Sequence, residues 1–241
     1  MKYAIISDVH ANQVALQAVL ECIEKAGAGQ TVCLGDVVGY NAAPNECADL
    51  LRERKVLTIL GNHDAVACGL EEAWGFNPVA HQAAMWTREQ LSPENKEWLR
   101  SLPDTLNFGA FVAVHGAPKN HNTYLFTWED VLPHLYFLEE QNTNICFIGH
   151  THSPAIFSED GMYSVDEDSR FELGVEKSFF VNPGSVGQPR DGNPRASFGL
   201  IDDETNTYEQ VRIDYAVDRA AEHVRAAGLP EFLADRLVLG R

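Results

Sequence analysis

Five short apolar segments of the chain are each followed by residues of types that bind metal ions. In open α/β sheets, ligands bind at the edge where the carboxyl ends of the strands lie. If the segments are strands, we expect the polar side chains after them to converge on one site. The segments are residues 3–7, 31–34, 56–60, 111–114 and 145–148, and the residues after them are Asp8 and His10, Asp36, Asn62 and His63, His115, and His150 and His152.

Two pairs of these residues are separated by a single residue, Asp8 with His10 and His150 with His152. In an extended segment, residues i and i+2 point to the same side. The spacing therefore predicts that each pair presents both side chains to one place. Glycines adjoin the candidate ligands, where the backbone has to turn sharply or pack closely; they are Gly35, Gly61, Gly116 and Gly149.

The segments between the strands have the apolar spacing of helices, at residues 12–26, 44–54, 76–91, 93–102 and 130–140. Such alternation predicts parallel β-α-β units. After residue 155 short strands with tight turns favour antiparallel pairing, and residues 216–227 predict a closing helix. We expect an α/β protein with two packed sheets, parallel at one end and antiparallel at the other, and helices outside. No linker-like stretch divides the 241 residues, which predicts one domain over 1–241.

The charge balance excludes some functions. Lys and Arg total 18 against 35 Asp and Glu, a net charge of −17. Affinity for nucleic acid comes largely from Lys and Arg contacts to phosphates, so we expect no stable nucleic-acid binding.

No apolar run approaches the ~20 residues of a membrane span, and the first residues do not resemble a signal peptide. Five cysteines without a C-x-x-C pair suit a reduced compartment. We expect a cytoplasmic protein with no membrane partner; the oligomeric state stays open.

Imidazole, carboxylate and amide ligands together suit Mn, Fe, Zn, Ni or Co better than Ca. Seven side chains that share one aspartate give about four protein contacts per ion, which leaves positions for water and substrate. We expect two divalent ions, with Mn favoured and Fe, Zn, Ni, Co or Mg as alternatives. Their charge would exceed that of Asp8 and Asp36, so that an acidic protein can hold a phosphate ester. Each motif alone is an ordinary turn or cap, and the prediction rests on the joint pattern.

The same residues resemble the signature of the calcineurin-like metallophosphoesterase superfamily, in order. The matching motifs are Asp8-Val-His10, Gly35-Asp36, Gly61-Asn62-His63-Asp64, His115-Gly116 and Gly149-His150-Thr151-His152. Segments 7–12 and 182–192 are similar to those of the YfcE-like group of bacterial stand-alone phosphodiesterases. The resemblance implies a four-layer α/β/β/α sandwich of two mixed sheets with helices on the outer faces. It also implies one ion bound by Asp8, His10, Asp36 and His152, and a second bound by Asp36, Asn62, His115 and His150.

The chain departs from the protein phosphatases of this superfamily. They carry an Arg after Gly-Asp, where this chain reads Gly35-Asp36-Val-Val-Gly-Tyr40, and His-Gly where it has His10-Ala11. A protein phosphatase is thereby disfavoured, although Arg190 offers a substitute cation.

The function we expect is hydrolysis of a phosphodiester, or of a small phosphate ester, by a hydroxide that bridges the two ions. His63 is the expected general acid, with Asp64 to orient it. Asn12 and Arg190 are candidate substrate contacts, although Asn12 also suits a helix N-cap and Arg190 an exposed turn.

The alternatives are a phosphomonoesterase, a protein phosphatase or a dinucleotide pyrophosphatase with the same site. A non-catalytic metal-binding scaffold is disfavoured because all seven ligands and His63 are present. Segments 117–128 and 158–178 are expected to shape specificity, and the acidic stretch 159–176 to form a solvated hairpin or loop.

Overall fold

The computed structural model describes residues 1–163, 165–166 and 169–241. Within them, two sheets of six strands each form the centre of the fold. The first sheet contains β1 (Lys2–Ile6), β2 (Gln30–Cys33), β3 (Leu57–Thr58), β9 (Arg170–Glu172), β11 (Ala196–Asp202) and β12 (Thr207–Ile213). Its strand order is β3-β2-β1-β11-β12-β9; β1, β2 and β3 are parallel, and the remaining pairs are antiparallel.

The second sheet contains β4 (Thr105–Asn107), β5 (Val112–Val114), β6 (Ile145–Phe147), β7 (Ala155–Ser158), β8 (Gly161–Tyr163) and β10 (Phe179–Asn182). Its order is β4-β5-β6-β10-β7-β8. The three central strands β5, β6 and β10 are parallel, and the strands on both sides of them pair antiparallel. The predicted division into a parallel and an antiparallel end therefore holds for the first sheet and is wrong for the second, because the edge strand β4 was not predicted.

The helices begin and end where local chemistry favours it. The side-chain oxygen of Asn12 accepts a hydrogen bond from the Ala15 N–H (3.1 Å) at the start of α1, and Gly27 ends that helix in a left-handed conformation. Proline occupies the first turn of three helices. The helices are α1 (Gln13–Ala26), α2 (Pro44–Glu53), α3 (Asn62–Cys68), α4 (Pro78–Gln90), α5 (Pro93–Arg100), α6 (Trp128–Val131), α7 (Leu135–Gln141), α8 (Val217–Ala226) and α9 (Glu231–Leu239), with a 3-10 turn at Leu132–His134.

Alternation along the strands produces the layers. On β1, Ile5 faces the second sheet, whereas Ala4 and Ile6 pack against α1 and its neighbours. On β6, Phe147 lies between the sheets and Cys146 faces α7. The α/β class and the sandwich with helices on its outer faces are confirmed. Among the described residues we find no helix with the length and apolar character that a membrane crossing needs.

Several predicted elements differ from those observed. The helices α3 and α9 were not predicted, and β3 is two residues long rather than five. At the ends of the predicted strand, the Val56 N–H donates to the Leu51 carbonyl and the Leu60 N–H donates to the Pro103 carbonyl, both outside the sheet. Every residue of α3 is buried, so it lacks the one-sided apolar pattern by which a surface helix is recognised. The acidic stretch 159–176 contains β8 and β9, and residues 164, 167 and 168 lie outside the described part. The single domain stays a prediction.

We predict that Phe147→Ala lowers the free energy of unfolding by about 3–5 kcal/mol, because the side chain is fully buried between the sheets. The ring packs edge-on against Phe111, 5.2 Å away. The matched control Phe232→Ala, at a position that is 56% exposed, should cost less than about 1 kcal/mol. Urea unfolding followed by circular dichroism measures both. Equal costs would contradict an inter-sheet core.

Candidate metal centre

The seven predicted ligands lie together at the edge where the carboxyl ends of strands from both sheets meet. Asp8 and His10 follow β1, Asp36 follows β2, and Asn62 is the first residue of α3. His115 follows β5, and His150 and His152 follow β6. All seven side chains are buried. Two groups of them have ligand atoms close enough to hold one ion each: Asp8, His10 and His152, and Asp36, His115 and His150.

In the first group two imidazole nitrogens face each other. Nε2 of His10 lies 3.0 Å from Nε2 of His152, which lies 3.3 Å from Asp8 Oδ1. The His10 Nδ1–H donates to the Val38 carbonyl (3.0 Å), and the His152 Nδ1–H donates to the Gln188 carbonyl (2.7 Å). Both Nε2 atoms therefore present lone pairs to the same point. Two nitrogens that bind the same ion at about 2.1 Å, with an N–metal–N angle of about 90°, lie about 3.0 Å apart. The distance between the two Nε2 atoms therefore suits a shared metal ion.

The second group is centred on His115. Its Nε2 lies 3.1 Å from Asn62 Oδ1, 3.2 Å from His150 Nδ1 and 3.4 Å from Asp36 Oδ2. Its Nδ1–H donates to the Leu34 carbonyl (2.8 Å). The bond orients the ring and directs Nε2 into the group, as in a metal-binding histidine.

Asp36 lies between the two groups. Its Oδ1 accepts a hydrogen bond from the His63 backbone N–H (2.8 Å), and its Oδ2 lies 3.5 Å from His10 Nε2 and 3.4 Å from His115 Nε2. Asp8 is held in the same way, because its Oδ2 accepts from the His150 backbone N–H (3.1 Å). Asp8 Oδ1 and Asp36 Oδ2 are buried without a hydrogen-bond donor in the described chain. Such oxygens are costly to bury unless a cation satisfies them, so the residues fit a pair of metal ions.

Three of the four imidazole ligands are held in the neutral form that binds metal. Burial lowers the pKa of His150 to about 2 and the pKa values of His10 and His152 well below the usual range. His115 differs: burial opposes its charged form, but the adjacent Asp36 carboxylate raises its pKa to about 9. Burial likewise disfavours the charged form of Asp36, but the nearby imidazoles, with His115 contributing most, hold the pKa of Asp36 well below the usual range. An ion that binds at Nε2 of His115 would therefore compete with a proton for that nitrogen.

The backbone of five predicted ligands is left-handed, not extended. The φ angles are 52° at Asp8, 46° at His10, 51° at Asp36, 67° at His150 and 61° at His152. The expectation of an extended backbone is therefore wrong for both pairs. Asp8 and His10 still lie in one group, as predicted, whereas His150 and His152 lie in different groups. Non-glycine residues in this region cost about 1–3 kcal/mol each and cluster at functional sites.

Two glycines allow the carboxylates to approach neighbouring backbone. A Cβ atom at residue 61 would lie 2.2 Å from Asp36 Oδ1, and one at residue 149 would lie 2.1 Å from Ser7 Oγ and 3.0 Å from Asp8 Oδ2. Side chains do not fit at these distances. The glycines beside the ligand motifs therefore serve close packing, as the sequence predicted.

His63 lies against the first group but is not held by Asp64. Its ring packs among His10, Tyr40 and Phe76, with centroid distances of 4.9, 4.4 and 4.6 Å. Its Nδ1 is buried without a hydrogen-bond partner among the described residues. The Asp64 carboxylate instead accepts hydrogen bonds from the backbone N–H groups of Val37 (3.2 Å), Val38 (3.0 Å) and Gly61 (3.1 Å). The expected contact is wrong, because Asp64 fixes the loop that carries Asp36.

The two candidate substrate contacts differ. Asn12 is buried; its oxygen caps α1, and its amide donates to the Gly187 carbonyl (2.9 Å). These contacts make Asn12 a helix N-cap, which was the alternative to a substrate contact. Arg190 flanks the site. Its guanidinium carbon lies 5.5 Å from the centre of the Tyr40 ring, and its Nη2 donates a hydrogen bond to Gln188 Oε1 (2.9 Å).

Aromatic residues and a second arginine also surround the ligands, and the sequence did not predict them. Tyr124 stacks on His150, with ring centroids 3.7 Å and planes 17° apart, and Tyr40 contacts His10. Burial, followed by the charge of Arg190, lowers the pKa of Arg236 on α9 to about 10, which indicates that the two arginines are neighbours. The only sequence signal for these residues was the expectation that segment 117–128, which contains Tyr124, shapes specificity.

Comparisons with known proteins point to one family. The family model described as the calcineurin-like phosphoesterase superfamily domain matches residues 1–206. The chain is 37% identical over 242 residues to the uncharacterized protein MJ0912 of Methanocaldococcus jannaschii, covering 99% of this chain and 98% of that protein. It is 29% identical over 214 residues to phosphodiesterase YfcE of Escherichia coli, covering 85% and 89%. A solved metallophosphoesterase structure from Sphaerobacter thermophilus has a TM-score of 0.88 at 35% identity and covers 100% of this chain and 99% of that one.

We predict that the affinity of the chelator-treated protein for Mn²⁺ rises about tenfold per pH unit between pH 7 and 8.5. The reason is that an ion has to displace the His115 proton, whose pKa is raised to about 9, whereas the other imidazoles are already neutral. Titration calorimetry in two buffers of different ionisation enthalpy should show release of about one proton at pH 7.5. Binding independent of pH would contradict this protonation state.

Proposed function

The chain belongs to the calcineurin-like phosphoesterase superfamily, and we propose that it hydrolyses a phosphodiester, or another small phosphate ester, at a centre of two divalent ions. One observation carries the proposal. Asp36, a member of the second ligand group, also faces the first: its Oδ2 lies within 3.5 Å of an imidazole nitrogen of each group and has no hydrogen-bond donor in the described residues. An oxygen in that position can bind two ions at once.

Each of the two ions would have its own ligands. Asp8, His10 and His152 would hold one, and Asn62, His115 and His150 would hold the other, with Asp36 between them. Mixed nitrogen and oxygen ligands favour Mn, with Fe, Zn, Ni, Co or Mg as alternatives. When bound, the two ions would supply a nucleophilic water at neutral pH and offset the charge of the phosphate. This is how a chain of net charge −17 can attract an anion.

The reaction forms one bond to phosphorus and breaks another. The water oxygen bonds to phosphorus, the P–O bond to the leaving alcohol breaks, and the alcohol oxygen takes up a proton. We assign that proton transfer to His63, which lies against His10. Burial lowers the pKa of His63 to about 4, so the charge of a bound phosphate ester has to raise it before the ring can carry the proton. We also assign Arg190, whose guanidinium carbon lies 5.5 Å from the centre of the Tyr40 ring, to a phosphate oxygen.

A diester is favoured over a monoester because the relative with an assigned activity is a phosphodiesterase. A dinucleotide pyrophosphatase would use the same ligands. A non-catalytic scaffold is disfavoured because all seven ligands and His63 are present and buried.

We predict that the chelator-treated protein releases nitrophenol from bis-p-nitrophenyl phosphate only after Mn²⁺ is added. His115→Ala should lose at least about a hundredfold in turnover, because the second ligand group then lacks its central nitrogen. His81→Ala is the matched control, since His81 is exposed on α4, and should match the parent protein. Hydrolysis that is indifferent to chelator would refute the proposal.

We predict that His63→Ala keeps both ions, as elemental analysis would show, and loses about 10²–10⁴-fold in kcat. The loss should be larger for a diester with an alkyl leaving group than for one with nitrophenol, since only the poorer leaving group needs the proton. An equal loss for both leaving groups would assign His63 a different role, and unchanged activity would remove it from the reaction.

A further inference from the structure

A cavity of about 160 Å³ opens directly beside the ligand groups. Its inner end is formed by Asn62, His63 and His150, and its outer walls by Trp74, Phe76 and Tyr124. A group in this cavity would therefore lie next to His63 and to a phosphate held by the two ions. It would be the leaving alcohol, because His63 is the group assigned to protonate it.

Aromatic side chains form the outer walls of the cavity. Phe76 lies 4.6 Å from the ring of His63, and Tyr124 stacks on His150 and, on its outer side, on Phe126. Trp74 is 88% exposed at the mouth, with no ring contact among the described residues. An indole in this position offers a large apolar face beside a reaction site, and aromatic rings bury 150–250 Å² when they find a partner.

Two amide side chains of the lining are already engaged by the chain itself. The Asn77 oxygen accepts hydrogen bonds from the Val79 and Ala80 N–H groups (3.0 Å each), and the Asn122 amide donates to Glu71 Oε2 (3.2 Å). None of the lining residues is Lys, Arg, Asp or Glu. Because its lining carries no formally charged side chain, the cavity favours an uncharged group, and its volume is close to the ~150 Å³ that holds a benzene ring in another protein. Arg190 lies over the ring of Tyr40, which also lines the cavity.

We propose that the leaving alcohol of the substrate carries an aromatic ring, and that this ring enters the cavity and stacks on Trp74. The proposal rests on the proposed function, because the phosphate has to be bound by the two ligand groups for the ring to reach the cavity. A nucleobase and a simple aryl group are both planar rings of this chemistry, and the experiment below separates them.

The test compares methyl benzyl phosphate with methyl cyclohexylmethyl phosphate, whose leaving alcohols have similar size and acidity but differ in planarity. With the Mn²⁺-loaded protein, kcat/KM should be about tenfold higher for the benzyl ester, in line with measured stacking on aromatic side chains. Trp74→Ala should remove this preference by lowering kcat/KM for the benzyl ester about tenfold, and Trp74→Phe should restore most of it. The control Tyr136→Ala changes an exposed ring on α7 and should alter neither value.

Binding gives a readout that does not depend on turnover. Benzylphosphonate, which cannot be hydrolysed at its P–C bond, should change the tryptophan fluorescence of the parent protein and not that of Trp74→Phe. Adenosine 5′-methyl phosphate tests the nucleobase: a higher kcat/KM than that of the benzyl ester, again dependent on Trp74, identifies a nucleotide, and a lower one identifies an aryl ester. Equal rates for the benzyl and cyclohexylmethyl esters would overturn the proposal while the phosphoesterase assignment stands. No Mn²⁺-dependent hydrolysis of any ester would overturn both.

Discussion

Two carboxylate oxygens, Asp8 Oδ1 and Asp36 Oδ2, are buried without a hydrogen-bond donor in the described chain, beside imidazole nitrogens that present lone pairs. Removing such groups from water costs several kcal/mol unless a cation compensates. The surrounding structure maintains this arrangement. Backbone N–H groups hold the other oxygen of each carboxylate, and backbone carbonyls fix the rings of His10, His115 and His152. The left-handed backbone of five ligands adds strain that the packed sheets have to sustain.

The sandwich is what brings these groups together, because neither sheet contains the whole site. The first sheet contributes Asp8, His10 and Asp36, and the second contributes His115, His150 and His152. Arg190 lies over the ring of Tyr40, and Tyr40 lines the cavity together with Trp74, Phe76 and Tyr124. An anionic group and a flat apolar group can thus be bound side by side on a strongly acidic protein.

The ligands could be predicted from the sequence because each follows an apolar run, and the ends of strands share one edge of a fold. Their detailed geometry could not. The left-handed turns at Asp8 and His150, and the engagement of Asp64 by three backbone amides, depend on loops from distant parts of the chain. The helix α3 lacks a one-sided apolar pattern since both of its faces are buried. Trp74 and Tyr124 reach the site from loops, where aromatic residues carry no periodic signal.

The most direct test of the paired centre is a crystal structure of the Mn²⁺-loaded protein with anomalous diffraction measured near the manganese absorption edge. We expect two anomalous peaks per chain, about 3.5–4 Å apart, on either side of Asp36 Oδ2, as in other two-metal sites. The first should lie among Asp8, His10 and His152, and the second among Asn62, His115 and His150. A single peak, or peaks away from Asp36, would contradict the account.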